Sequence, residues 1–189
     1  MSDVIHSFTT KVPRWQPYVV PVDLETATEE QRAAMQVTPS GKGISTYVLT
    51  LAHDPESLAV RSPLFNDIMY GKDGLASGER ELGATAASVV NQCIYCAAVH
   101  ASRFISHTKR ADVIDTIFAD WVDAELEEHL QAIFTFSAKL STAPPKATDD
   151  DARALGDVGF DELQQLDLVF SSAIFGWANR LMHTLGEAV

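Results

Sequence analysis

The sequence is short of cysteine, of positive charge and of long apolar runs, and each shortage narrows what it can be. Two cysteines, Cys93 and Cys96, are too few and too close together for a disulfide framework, because so small a loop removes little chain entropy. Fourteen Lys and Arg against 26 Asp and Glu leave a net charge of −12, and the basic residues do not cluster. A surface of that sign repels phosphate backbones and anionic headgroups, which argues against nucleic acid and against a membrane as partner. No apolar run approaches the ~18 residues of a membrane span. Met1 to Thr10 has neither the basic start nor the apolar stretch of an export signal, so a cytoplasmic location is expected. No G-x-G-x-x-G, H-E-x-x-H or G-x-S-x-G occurs, and Gly41-Lys42-Gly43 fails as a phosphate loop because position 36 is Gln where that loop needs Gly.

What is present reads as helix. The 189 residues are 46% hydrophobic and 21% charged, the balance of a folded globular chain of one domain. No segment keeps the polar/apolar alternation of a half-buried strand, so an all-α fold is expected over residues 26–189. Residues 1–25 differ: Pro13, Pro17 and Pro21 interrupt them around Trp15 and Tyr18, which favours an extended arm packed on a neighbouring subunit. Helix starts are expected at Thr28-Glu29-Glu30-Gln31, Asp54-Pro55 and Ser62-Pro63, followed by a long Ala-rich helix over about 79–90 that breaks at Asn91-Gln92. A new helix then begins at the cysteines. Val113, Ile114, Ile117, Phe118 and Trp121 form one apolar stripe and Leu126, Leu130, Ile133, Phe134 and Leu140 another. In the last helix, Leu163, Leu166, Phe170, Ala173, Trp177 and Leu181 recur at steps of three or four, as a core face would.

The chemistry concentrates between Glu81 and His100. At about 100° per residue Cys93, Cys96 and His100 fall near 0°, 300° and 340°, on one helical face. A cysteine attacks as its thiolate, and both a C-x-x-C pair and a helix N-terminus lower a thiol's pKa from about 8.5. His100 is placed to accept the Cys96 proton, directly or through a water, and Glu81 to orient the imidazole. Two thiols three residues apart also let one resolve a sulfenic acid on the other. Two other readings use the same residues: an inert buried thiol pair, or zinc held by Cys93, Cys96, His100 and Glu81 or water. Tyr95 reads as a pocket wall. His6, His53, His107, His129 and His183 read as solvated, capping or core-edge residues.

Glu81-x11-Cys93-x2-Cys96-x3-His100 resembles the motif of the AhpD-like alkylhydroperoxidase branch of the carboxymuconolactone decarboxylase superfamily. Tyr47 to Pro55 (YVLTLAHDP), Glu79-Arg80-Glu81, Asn179-Arg180 and Leu185-Gly186 extend the similarity to its peroxidase-related group, over about 45–189. The resemblance implies an all-helical fold with the C-x-x-C at a helix start, in homo-oligomers that are commonly trimers or hexamers, with a dimer also open. It implies a thiol-dependent hydroperoxide reductase in which Cys96 is the peroxidatic thiol, Cys93 the resolving one, His100 the base and Glu81 its partner. The substrate is then a hydroperoxide and the reductant an external dithiol, of lipoyl type in the family, with no bound cofactor and no metal. The founding alkylhydroperoxidase has a histidine just before its second cysteine where this chain has Tyr95, so the relay is shorter here. Two alternatives stand beside this expectation: a non-catalytic, redox-sensing oligomeric scaffold, and a carboxymuconolactone-decarboxylase-like enzyme, which does not need the C-x-x-C.

Overall fold

A computed structural model describes residues 3–36 and 43–189; Gly41 and Lys42 of the rejected phosphate loop lie outside them. Nine α-helices account for most of the described residues, with two three-residue strands. The fold is all-α, as expected.

Helix α4 (Ser77–Val90) is the central element, and its sequence explains why. Residues 80–89 are buried on every side, so the helix is Ala-rich because each neighbour must come close. A Cβ at Gly83 would sit 2.9 Å from Leu168 Cδ1 and 3.0 Å from Ser172 Oγ. Around it pack α5 (Ile94–Thr108), α7 (Glu128–Leu140) and α9 (Glu162–Leu185). The main core lies on one side, where Leu82, Val89, Phe104, Ile114, Ile117, Ile133 and Phe134 meet; Ile114 and Ile117 come from α6 (Ala111–Asp120). The acidic α8 (Asp149–Asp157) closes it with Leu155.

Two expected helix signals hold and one does not. Thr28 caps α1 (Glu29–Ala34) in a reciprocal box with Gln31, and Asp54 accepts from the Ser57 amide at the start of α3 (Pro55–Tyr70). Ser62-Pro63 opens no second helix, because α3 runs through it. The proline costs an interior helix ~3 kcal/mol. Packing on both sides outweighs that: Leu58 joins Val48 and Met35, with Val48 from α2 (Thr46–Leu51), while Phe65 and Met69 pack with Ala84, Ala87 and Phe175.

The last helix also departs from expectation. Its presumed core stripe faces outward, with Leu163, Leu166, Phe170 and Trp177 each about half exposed, while Leu168, Ser171, Ser172, Phe175, Ala178, Asn179 and Met182 are buried. Close approach to α4 selects small side chains over large ones.

The N-terminal arm is extended, but it lies on its own chain. Strand β1 (Trp15–Pro17) pairs antiparallel with β2 (Gly186–Ala188), Trp15 opposite Ala188. Gly186 permits this, since a Cβ there would run into the Trp15 indole. No helix among the described residues is long and apolar enough to cross a membrane.

Candidate active site

The two cysteines sit at the joint between α4 and α5. Helix α4 ends at Asn91, and Gln92 takes the left-handed conformation with φ +54°. The Cys93 amide then reaches Ser88 O at 2.9 Å and the Gln92 amide reaches Val89 O at 3.0 Å, the paired closure of a Schellman turn. The turn delivers Cys93 as the cap residue of α5 and Cys96 into its first turn. Both thiols are free and buried, at 3% and 5% exposure.

The same reversal folds Glu81 back onto α5. Its Oε2 lies 2.5 Å from His100 Nδ1, and its Oε1 lies 3.7 Å from Arg103 Nη1. Glu81 and His100 are 2% and 3% exposed. A carboxylate on Nδ1 fixes the tautomer that carries its proton there and leaves Nε2 as the basic nitrogen. The ring is held edge-on against Phe175, centroids 4.1 Å apart. Cys96 and His100 line one cavity, with no direct hydrogen bond between them among the described residues.

The two sulfurs differ electrostatically. A hydrogen bond from the Cys96 side chain, and a lesser one from Asn179, hold the Cys93 thiol below its ordinary pKa. Burial pushes Cys96 well above it, and proximity to Cys93 adds to the rise. The expected acidification therefore reaches Cys93 and not Cys96: the hydrogen bond from Cys96 lowers the first, and burial raises the second. A thiol raised in this way gives up its proton only with a base beside it, and His100 lines the same cavity.

Two cavities flank the pair. Cys96 opens into one of about 190 Å³ bounded by Tyr47, Arg61, Phe65, His100, Arg103 and Phe175. Cys93 opens into another of about 370 Å³ roofed by the arm, with Phe8, Trp15, Tyr18, Trp121 and His183. Tyr95 borders both, as a wall. Trp15 packs with Cys93, Cys96 and Met182, its Nε1 donating to Met182 O at 3.3 Å and its ring edge-on to Tyr47.

Sequence reasoning missed several of these residues. Asn179 is fully buried on α9, its Nδ2 donating to Ser88 Oγ at 3.2 Å and its Oδ1 accepting from Asn91 Nδ2 at 3.1 Å. The Asn179-Arg180 pair quoted for the family resemblance was the available signal. Arg61 carried none, and Tyr47 and Trp15 were read only as part of the family resemblance and of the arm, since all three come from distant segments. Among the described residues no three His, Cys, Asp or Glu side chains converge as metal ligands.

Residues 55–136 match the model of the carboxymuconolactone decarboxylase family. A peroxidase-related AhpD-core protein from Ralstonia eutropha JMP134, whose function is uncharacterised, is 27% identical, with a TM-score of 0.75 over 92% of this chain and 90% of that one. A peroxidase-related protein from Silicibacter sp. TM1040 is 22% identical, with a TM-score of 0.71 over 89% and 91%. The debrominase Bmp8 reaches a TM-score of 0.73 over 89% and 90% at 17% identity, and shares the fold alone. No protein of curated function matches the chain.

Proposed function

We propose that this chain, which matches the carboxymuconolactone decarboxylase family model over residues 55–136 and shares the fold of an AhpD-core protein, is an AhpD-like member of that superfamily and a thiol-dependent hydroperoxide reductase. The observation that carries this reading is the buried Glu81–His100 pair sharing a cavity with Cys96, with a second thiol one helical turn away. His100 Nε2 takes the Cys96 proton. The Cys96 thiolate attacks the terminal peroxide oxygen, the O–O bond breaks, and the leaving alkoxide takes the proton back from His100 to depart as an alcohol, or as water from hydrogen peroxide. Cys96 is left as a sulfenic acid. The Cys93 thiolate, the more acidic of the two, attacks that sulfur and expels hydroxide, which is protonated to water. An external dithiol, of lipoyl type or simpler, then reduces the disulfide and restores both thiols.

The cavity on the Cys93 side, bordered by the arm, supplies an approach for the dithiol that is separate from the substrate's. The outward stripe of α9 supports assembly into homo-oligomers, with trimers or hexamers as the expected forms, because a contiguous apolar face on a soluble chain marks an interaction surface. The same stripe favours a second reading, a scaffold whose assembly the disulfide switches without turnover.

Consumption of hydrogen peroxide and of an organic hydroperoxide, with dihydrolipoamide and then dithiothreitol as reductant, tests the proposal. Turnover should disappear in Cys96→Ser, and Cys93→Ser should stall as a sulfenic or overoxidised form. Undiminished turnover in Cys96→Ser overturns the mechanism. A parental disulfide that forms once and then stops, with a change of assembly state, moves the reading to the scaffold.

A further inference from the structure

The cavity beside Cys96 holds a positive charge that no carboxylate answers among the described residues. Arg61 is half-buried there and no carboxylate reaches its guanidinium among the described residues; its Nε is fully enclosed and unpartnered, and the Tyr47 hydroxyl is the polar group beside it. Its carbon centre lies 4.4 Å from the Phe65 ring centroid and 5.7 Å from that of Tyr47. Stacking of this kind fixes the plane of a guanidinium while leaving its edge free to bind. The Tyr47 hydroxyl beside it is also buried without a hydrogen-bond partner. Among the described residues no Asp or Glu lines the cavity. Glu81, behind His100, is already engaged by His100 and Arg103. In a chain of net charge −12, a half-buried arginine at a cavity wall, kept away from carboxylates, is an arrangement for a negative group that arrives from outside.

We propose that the cavity binds a small organic anion through Arg61 and Tyr47, so that the preferred substrate is a small hydroperoxide that also carries a carboxylate. The carboxylate accepts from the Arg61 guanidinium and the Tyr47 hydroxyl, the apolar body lies against Phe65 and Phe175, and the peroxide faces Cys96. Burial supports these roles: it pushes Tyr47 up to about 12, so the phenol remains a donor at neutral pH, and it lowers Arg61, as an uncompensated cation requires. Arg103 is placed otherwise, donating to Tyr70 Oη at 2.5 Å with Glu81 close by. The inference rests on the reading of Cys96 as the reacting thiol.

Calorimetric binding of benzoate and of benzamide to the reduced protein tests it without any turnover. Benzoate is expected to bind at least about tenfold more tightly than its neutral amide. Arg61→Gln should abolish that preference, Arg61→Lys should restore part of it, and Arg110→Gln, at an exposed arginine outside the cavity, should leave it unchanged. Equal affinity for the two probes, or a preference that survives Arg61→Gln, overturns the proposal. A protein that prefers benzoate but consumes no peroxide retains the anion site and loses the peroxidase reading. One that consumes hydrogen peroxide through Cys96 without any preference for benzoate keeps its chemistry and loses the anion site alone.

Discussion

Arg80 is buried and Arg61 half-buried in this acidic protein, and their surroundings are opposite. Arg80, on α4, is 2% exposed; it donates to Gly71 O at 2.6 Å, to Asp73 O at 2.7 Å and to the Asp167 carboxylate at 2.6 Å. Only its Nε lacks a partner. Asp167 in turn accepts from the Leu75 amide at 3.0 Å, so the cluster ties the loop after α3 to α9. Arg61 has aromatic rings where Arg80 has acceptors. A satisfied buried cation is architecture, and an unsatisfied one at a cavity wall awaits a ligand.

Removing each arginine tests that contrast. Arg80→Leu leaves Asp167 without its cation, and loss of one partner from such a pair costs ~3 kcal/mol, or roughly 6–12 °C in Tm for a chain of this size. Thermal unfolding followed by circular dichroism reads it. Glu81→Gln keeps the shape of the site but removes the charge behind His100, and the expected loss in peroxide turnover is about 100-fold with the helical signal unchanged. A turnover loss below about threefold would take Glu81 out of the relay.

The sulfurs repeat the contrast on a smaller scale. Cys93 has a hydrogen-bonding neighbour for its thiolate and Cys96 has burial, so iodoacetamide should label Cys93 about tenfold faster near neutral pH. Labelling of Cys93 should begin below the usual thiol range of about 8.5 and that of Cys96 only above it. Linkage sets the sign for stability: above that range the unfolded chain gives up the Cys96 proton that the fold retains, so the contribution of Cys96 falls as pH rises. Peptide mapping by mass spectrometry resolves the two sites. Arg61→Leu, by contrast, should shift folding stability by no more than about 1 kcal/mol in either direction, because an unpaired half-buried cation is exchanged for an apolar side chain. An Arg61→Leu protein as destabilised as Arg80→Leu would erase the distinction between the two.

The site was more legible in the sequence than the packing around it. Glu81, Cys93, Cys96 and His100 share about twenty residues, and the Asn91-Gln92 break that folds them together is a local signal. Arg61 and Trp15 reach the same place through tertiary packing, which no spacing encodes. Helix α9 shows a second limit. Periodicity locates an apolar face but does not say what covers it, and here Leu163, Leu166, Phe170 and Trp177 face out while Leu168, Phe175 and Met182 share the inward face with Ser171, Ser172 and Asn179. These small polar groups pay for burial with hydrogen bonds: Ser172 Oγ donates to Ser137 Oγ at 2.9 Å, and Asn179 to Ser88.

That inversion leads to the prediction with the smallest expected effect on the fold itself. Leu166 and Phe170 are 47% and 46% exposed one turn apart on α9, so replacing both with Glu removes no core contact from the protomer. The helix should remain formed, and folding stability measured on dilute protein should change by no more than about 0.5 kcal/mol. The association state should change instead. If the stripe is the face on which copies of this chain meet, four buried carboxylates at each two-fold contact oppose assembly, and sedimentation should show the double variant one step smaller than the parent. A parent and variant that sediment alike, with parental stability in both, would leave the stripe exposed and take away the structural support for an oligomer.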